Sequence, residues 1–150
     1  MTEKNALQKA GLKVTTPRMR ILALLESSQH QRHWRAEDIY QALSSAGVDV
    51  GLATVYRVLT QFETAGLIKR HRFDEGHSWY ELDRGEHHDH LVCVRCNRVE
   101  EFVDPVIEQR QQAIAQKMGY QITDHSLYIY GVAELDSQGV CTRCHKRVDN

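Results

Sequence analysis

Residues 51–82, GLATVYRVLTQFETAGLIKRHRFDEGHSWYEL, join a helix-like segment to a hairpin-like segment. In the first half, apolar residues recur at helical spacing and predict a helix over about residues 52–65. The residues expected to face the core are Leu52, Val55, Leu59 and Phe62. In the second half, two strand-like runs, 67–73 and 78–82, flank an Asp-Glu-Gly turn sequence. The stretch therefore predicts a helix followed by a β-hairpin.

Two further helices are predicted upstream of this stretch. Thr16 and Pro17 suit the cap and first turn of a helix that the polar residues 27–29 would end. Another helix is expected over about residues 36–44. Three helices followed by a hairpin describe a winged helix-turn-helix, whose third helix enters the major groove of DNA. We therefore expect a winged-helix DNA-binding domain over residues 1–83.

Charge is distributed unevenly along the chain, although the net charge is only −1. Residues 1–73 contain 11 Lys+Arg and 6 Asp+Glu, whereas residues 74–150 contain 8 and 14. A basic half suits a polyanion such as DNA, and an acidic half rich in histidine suits metal cations. No apolar run approaches the roughly 20 residues that span a membrane, and the N-terminus does not resemble a secretory signal. A cytoplasmic protein with no membrane partner is therefore expected.

The rest of the chain predicts a second, smaller domain of α/β type, which makes the fold class α+β. Residues 84–86, Arg-Gly-Glu, are interpreted as a hinge, and the second domain is expected over residues 87–150. Its predicted elements are strands at about 90–94, 98–103 and 120–130 and a helix at about 105–117. The polar tail that follows carries two of the four cysteines.

The four cysteines form two CxxC pairs, Cys93 with Cys96 and Cys141 with Cys144. Two such pairs can supply the four thiolates of a tetrahedral structural zinc site, which would pin the C-terminal tail onto a sheet. Two other interpretations are open. A redox or disulfide pair is disfavoured by a reducing cytosol. Cys144 is followed by His145, as in c-type haem attachment, but that chemistry normally takes place outside the cytosol.

His87-His88-Asp89-His90 places four potential metal ligands in succession. Side chains alternate along an extended segment, so His88 and His90 are expected on one side and His87 and Asp89 on the other. One short segment therefore predicts two metal sites. The additional ligands proposed are His33 and Glu81 for the first site and Glu108 and His125 for the second. Mixed imidazole and carboxylate sites suit ferrous iron, manganese, cobalt, nickel or zinc. The alternative is a solvated linker, and isolated His30, His71 and His77 are interpreted as surface or turn residues.

Motifs spread over nearly the whole chain resemble the ferric uptake regulator family of bacterial repressors. They are GLKVT at 11–15, PR at 17–18, AEDIY at 36–40, GLATVYRVL at 51–59, HHDHL at 87–91, CVRC at 93–96 and HSLY at 125–128. The resemblance implies an N-terminal winged-helix domain hinged to a C-terminal α/β dimerisation domain. It also implies a homodimer, possibly part of a higher oligomer, that binds AT-rich inverted repeats in double-stranded DNA when loaded with ferrous iron and represses metal-uptake genes.

The same resemblance implies three metal sites. They are a hinge sensing site of His33, Glu81, His88 and His90, a second site of His87, Asp89, Glu108 and His125, and a structural zinc site of Cys93, Cys96, Cys141 and Cys144. Ferrous iron is the expected regulatory ion, for which manganese, cobalt or zinc can substitute. A zinc, manganese or peroxide sensor of the same family is an alternative, and a metal-storage protein or metalloenzyme a remote one. No catalytic residue and no enzymatic activity is predicted.

Two departures from the family pattern lie beside His33. Trp34 is bulkier than the usual aliphatic residue, and Arg35 stands where Ser or Thr often caps the next helix. Because arginine cannot cap through a hydroxyl, a looser start of the helix at residues 36–44 is expected.

DNA contacts are predicted for the helix at about 52–65 and for basic residues near the N-terminus. In the helix, Arg57 is expected at a guanine edge or a phosphate and Tyr56 on a sugar or a thymine methyl, with Ala53 and Thr54 meeting thymine methyls. The predicted phosphate ligands are Lys13, Arg18 and Arg20. The alternative interpretation is that these basic residues only keep the protein soluble.

Overall fold

The computed structural model describes residues 2–27 and 31–148, and the chain divides into two units, residues 1–85 and 86–150. The boundary between the units falls within the segment interpreted as a hinge. The predicted end of a helix at residues 27–29 lies mostly outside the described residues, and so does His30, which was interpreted as a surface or turn residue. None of the described helices has the length and apolar character that a bilayer crossing requires.

The first unit is a winged helix. Its elements are α1 Glu3–Lys9, α2 Thr16–Ser27, α3 Ala36–Ser45, α4 Leu52–Thr64, β1 Ile68–Asp74 and β2 His77–Leu82. The predicted winged-helix domain and α+β class are confirmed. The sequence patterns did not predict α1, because two turns are too short for a periodic signal and such a helix is marginal alone. Burial of Leu7 in the core of the unit holds it in place.

The core of this unit is built on one face of α4. Val55, Val58, Leu59 and Phe62 are buried there, at the spacing of a single helical stripe. They pack with apolar residues of α2, α3 and the hairpin. The prediction that Leu52 faces the core is wrong, since its side chain is exposed. Leu52 is the first helical residue and lies one turn beyond the end of the buried stripe.

The hairpin contains a β-bulge that sets which side chains share a face. Asp74 lies opposite His77, but farther from the turn His71 lies opposite Trp79 and Lys69 opposite Glu81. Without the bulge, the pairing at Asp74 would place His71 opposite residue 80, on the other face from Glu81. The register on the far side of the bulge therefore places His71 and Glu81 on one face.

A short bridge on the other side of β2 brings in the segment that precedes α3. The Trp34 N–H donates to the Tyr80 carbonyl at 2.9 Å, and the Tyr80 N–H donates to the Trp34 carbonyl at 2.7 Å. In antiparallel register, this pairing places His33 beside Glu81.

The second unit is a three-stranded sheet with one helix. Its elements are β3 Asp89–Cys93, β4 Val99–Phe102, α5 Pro105–Lys117 and β5 Tyr128–Gly131. β3 is the central strand, antiparallel to β4 and parallel to β5. The strand predicted within 120–130 is shorter and ends one residue later, because only residues 128–131 lie beside β3. Asp104 caps α5 by accepting from the Val106 N–H at 2.8 Å.

Candidate metal centres and DNA-binding surface

The segment that leads into β3 sends its ligands in two directions. The rings of His88 and His90 lie 4.8 Å apart, and His88 Nε2 is 3.5 Å from Glu101 Oε1. His87 Nε2 is instead 3.2 Å from Asp89 Oδ1. The structure thus brings together each of the two pairs expected from strand alternation.

His87 and Asp89 belong to a cluster with two residues from other elements of the second unit. Glu108 comes from the first turn of α5, and His125 from the segment before β5. One ligand atom from each of the four lies within 4.8 Å of the others. Glu108 joins the histidines, since Oε1 is 3.1 Å from His87 Nε2 and Oε2 is 2.9 Å from His125 Nε2. The structure therefore gathers all four ligands predicted for the second site.

Asp89 tests whether this cluster fits a metal ion. Its carboxylate is fully buried, and neither oxygen accepts a hydrogen bond from the described residues. A buried carboxylate without donors is costly, and proteins usually neutralise one with a cation or a proton. Two imidazoles and two carboxylates are a donor set for Fe²⁺, Mn²⁺, Co²⁺ or Zn²⁺. The residues fit such an ion.

The first unit contains two of the residues predicted for the hinge sensing site. His33 and Glu81 are buried, and His33 Nε2 lies 3.1 Å from Glu81 Oε2. The other two predicted ligands, His88 and His90, lie in the second unit. Imidazole and carboxylate at this separation also fit a divalent ion.

Two residues beside these ligands were missed in the sequence. His71 is buried, with Nε2 only 2.6 Å from Glu81 Oε1, so its interpretation as a surface residue is wrong. The β-bulge that turns it inward leaves no pattern that is visible in the sequence alone. Glu101 lies directly opposite His90 on β4. The register of the β3–β4 hairpin could have predicted it.

The four cysteines are free thiols that gather at one end of the β3–β4 hairpin. The sulfurs of Cys96, Cys141 and Cys144 lie within 4.8 Å of one another, and the Cys93 side chain interacts with that of Cys96. Each CxxC pair ends in a turn of the same type. Asn97 and His145 each have φ of 60°, and their N–H groups donate to the carbonyls of Cys93 and Cys141. Two equivalent knuckles support a four-sulfur site.

Backbone donors also favour thiolate at two of these positions. Burial raises the pKa of Cys93, but the N–H groups of Ala133, Cys96 and Arg95 outweigh it and lower the pKa to about 7. Backbone N–H groups likewise lower the pKa of Cys141. Burial instead raises the pKa of Cys96 to about 12. Thiolate is the form that binds zinc, so the residues fit a structural zinc ion.

An ion-pair network that the sequence did not predict joins the second CxxC pair to β4. Arg143 Nε donates to Glu100 Oε1 at 2.8 Å, and Arg98 Nε donates to the same oxygen at 3.1 Å. Because Arg143 lies between Cys141 and Cys144, this network fastens the C-terminal knuckle beside the first one.

The start of α3 is held differently from the sequence-based expectation. Asp38, in the first turn, accepts from the Arg35 N–H at 3.2 Å, and both its carboxylate oxygens accept from the Arg35 guanidinium at 3.1 Å. The expectation that Arg35 cannot cap the helix is confirmed, since its side chain accepts no hydrogen bond from the first turn, and Asp38 instead fastens the helix start by binding the Arg35 N–H and guanidinium.

The residues predicted to contact DNA differ in how they are placed. Ala53, Tyr56 and Arg57 are exposed on α4 and Thr54 is partly exposed, while Lys13 and Arg20 are exposed near α2. Arg18 instead bonds within the unit, to Gln61 Oε1 at 2.9 Å and to the Lys13 carbonyl at 2.8 Å. A role for Arg18 on phosphate stays a prediction.

Tyr56 is also engaged within the unit. Its hydroxyl donates to the carboxylate of Glu37 on α3. This hydrogen bond, and to a lesser extent burial, raises the pKa of Tyr56 to about 12. The same hydrogen bond lowers the pKa of Glu37. The phenol is thereby held against α3 on the exposed side of α4.

Comparisons with known proteins agree with this arrangement. The profile of the ferric uptake regulator family matches residues 9–130. The ferric uptake regulation protein of Legionella pneumophila is 61% identical over 132 residues, which cover 88% of this chain and 96% of that protein. The crystal structure of the Vibrio cholerae ferric uptake regulator has a TM-score of 0.82 and 52% identity, covering 87% of this chain and 98% of that one. A structure of the Francisella tularensis ferric uptake regulator with iron has a TM-score of 0.78 and 45% identity, covering 83% and 93%.

Proposed function

Because this chain belongs to the ferric uptake regulator family of metal-responsive transcriptional regulators, we propose that it is an iron-responsive repressor. In this proposal, the dimer binds AT-rich inverted repeats in double-stranded DNA when it carries ferrous iron, and so controls metal-uptake genes. One observation carries the proposal: a buried pair of metal-ligating side chains, His33 and Glu81, lies inside the winged-helix unit. A DNA-binding unit that supplies metal ligands can have its DNA affinity changed by metal.

The proposed sensing site combines that pair with His88 and His90, so its ligands come from both units. An ion that needs all four ligands favours whichever arrangement of the units supplies them together. Metal then acts on DNA binding only through its preference for that arrangement. A typical coupling of about 1–3 kcal/mol corresponds to a change of roughly 5–150-fold in DNA affinity.

Iron is the proposed regulatory ion for two reasons. The Francisella tularensis relative has been solved with iron, and the imidazole and carboxylate donors suit Fe²⁺. The same donors accept Mn²⁺, Co²⁺ and Zn²⁺, so the donor set alone does not select the metal. The second site of His87, Asp89, Glu108 and His125 is proposed to take a divalent ion of the same class.

The second unit is proposed to form the dimer. Large apolar side chains are exposed on α5 and around β5. They include Val106, Ile114, Met118, Tyr120, Ile129, Tyr130 and Val132. Contiguous exposed apolar surface is typical of a protein interface, and a second copy of this chain is the proposed occupant. Zinc held by the four cysteines would fasten the segment after β5 to the rest of this unit.

In the proposed complex, α4 of each protomer enters the major groove in one half of the repeat. The proposal places the protein in the cytoplasm, where a repressor meets DNA, and assigns it no catalysed reaction.

The proposal is tested by measuring DNA binding with each metal. Fluorescence anisotropy would follow an AT-rich inverted repeat, with a scrambled duplex of equal composition as control, under anaerobic Fe²⁺, Mn²⁺, Co²⁺ and Zn²⁺. We expect affinity for the repeat to rise at least about 5-fold with Fe²⁺, while the scrambled duplex binds weakly throughout. Metal-independent binding would overturn the proposal, and a response confined to Zn²⁺ or Mn²⁺ would reassign the sensor within the family.

A further inference from the structure

The Glu81 carboxylate lies between two buried histidines, although only one of them was predicted as a ligand. His33 Nε2 is 3.1 Å from Oε2, and His71 Nε2 is 2.6 Å from Oε1. All three residues belong to the winged-helix unit. Within this unit, the two carboxylate oxygens therefore face different histidines.

The His71 ring is held in place by its own surroundings. It stacks on Phe73 with an interplanar angle of 8° and a centroid separation of 5.2 Å. Phe73 is itself buried and contacts Trp79. The β-bulge places His71 on the same face as Glu81. Stacking and register together fix the direction in which His71 Nε2 points.

The separations suggest different tasks for the two histidines. Ligand atoms about 2.0–2.2 Å from one ion lie roughly 3–3.5 Å apart, which matches the distance from His33 Nε2 to Glu81 Oε2. An ionised carboxylate can only accept, so His71 donates its Nε2–H to the other oxygen. At 2.6 Å this bond is a short, charge-assisted one.

We propose that His71 is a positioning residue, which holds Glu81 Oε1 so that Oε2 points toward the ion shared with His33. This inference rests on the proposed function, because it assumes that His33 and Glu81 bind the regulatory metal. Hydrogen bonds to ligating carboxylates fix their orientation and tune metal affinity. With Oε1 bonded to His71, the oxygen that Glu81 presents to the ion is Oε2, which faces His33.

The test compares variants at position 71 in the full-length protein with its zinc retained. Removing such an outer partner typically weakens metal binding about 10–100-fold, so we expect His71→Leu to raise the Kd for Co²⁺ by that factor. His71→Gln keeps an N–H donor and is expected to recover much of the affinity. His77→Leu is the matched control, since His77 is an exposed wing histidine paired only with Asp74 in the described contacts.

The Co²⁺ absorption bands separate positioning from direct ligation. A positioning role leaves the number and types of ligands unchanged, so both variants should keep the band intensities of the wild type at saturation. A changed intensity, which reports a changed coordination number, would overturn the inference in favour of ligation by His71. An unchanged Kd in both variants would overturn it as well, and His71→Gln keeps the test valid should His71→Leu not fold.

The parent proposal has its own control. His33→Ala should abolish the regulatory Co²⁺ bands. If it leaves them intact, the proposed sensing site fails and the inference with it. If His33→Ala removes them while the position 71 variants bind normally, only the inference fails.

Discussion

Among single residues, Asp89 most directly indicates that a cation binds in the second site. Its carboxylate is fully buried on β3, with His87 Nε2 3.2 Å from one oxygen and no hydrogen bond to either oxygen among the described residues. Such a charge destabilises the metal-free chain and stabilises the metal-loaded one, because only the ion compensates its burial. The sign of a substitution here therefore depends on the metal.

Asp89→Asn should stabilise the protein when the second site is empty and destabilise it when the site is filled. The expected change is about 1–3 kcal/mol in each direction, since a buried group gains or loses its compensation. Urea denaturation of zinc-retaining protein, with and without added Mn²⁺, measures both. Asp49→Asn, at an exposed position of the first unit, is the control. The same sign under both conditions would contradict a metal role for Asp89.

Tyr56 carries a second prediction at this scale. Its phenol is held by Glu37 on the exposed side of α4, and the proposed DNA complex turns that side toward the bases. We expect Tyr56→Ala to weaken binding to the AT-rich repeat by about 1–3 kcal/mol, as for a lost base contact, and to change binding to scrambled DNA little. Competition gel shifts with Thr60→Ala as control measure this ratio. An equal loss on both duplexes would assign Tyr56 to phosphate or folding instead.

At the level of elements, the second CxxC pair depends on a side-chain link to β4. Arg143 reaches Glu100, which also accepts from Arg98, and this network lies largely at the surface. Surface ion pairs contribute no more than about 1 kcal/mol, so the link orients the knuckle but does not by itself hold the metal.

Glu100→Gln should therefore speed the release of zinc to a chromogenic chelator measurably, but by no more than about 5-fold. Glu134→Gln is a suitable control, because Glu134 bonds to Thr142 through its backbone carbonyl and not through its carboxylate. Release more than about 100-fold faster would mean that Glu100 is essential to the site. An unchanged rate would mean that the ion pair contributes nothing to zinc retention.

Most elements could be predicted from the sequence, and the misses share a physical cause. Helical spacing predicted α4, and turn residues predicted the hairpin after it, because these patterns are local. Whatever depends on pairing between segments was less accessible. The bulge that turns His71 inward and the pairing of His90 with Glu101 were not predicted, nor was the length of β5, which is set by its partner. The ligand groups at β3 were accessible because strand alternation is local too.

For the whole molecule, metal sensing requires that metal binding and DNA binding are energetically coupled. His90 lies on the central strand of the second unit, whereas α4, the helix proposed to contact DNA, lies in the first. We expect His90→Ala to reduce the Fe²⁺-dependent gain in DNA affinity to less than about 5-fold while the dimer and its zinc content remain. Anisotropy titration beside metal analysis measures both, with His77→Ala as control. An unchanged metal dependence would remove His90 from the sensing site.

The dimer is expected to depend on zinc. Cys93 accepts a hydrogen bond from the Ala133 N–H at 3.4 Å. Val132, which directly precedes Ala133, is among the exposed apolar residues proposed for the dimer interface. Cys93→Ser should lose one zinc per chain and shift the protein toward monomer in analytical ultracentrifugation. Thr142→Ser, a conservative change inside the second knuckle, should stay dimeric. A zinc-free Cys93→Ser protein that remains a dimer would contradict this dependence.

The β-bulge in the wing also limits how this protein can diverge. Most surface hairpins tolerate gain or loss of a residue near the turn, since the strands simply slide into a new pairing. Here the deletion of Arg72 would restore a regular ladder in which His71 still lies opposite Trp79, but Phe73 would follow His71 directly and turn to the opposite face from the ring on which it stacks. The number of residues between His71 and Asp74 is therefore constrained, whatever the identity of those residues. Natural variation in this wing should run to substitutions rather than to insertions or deletions.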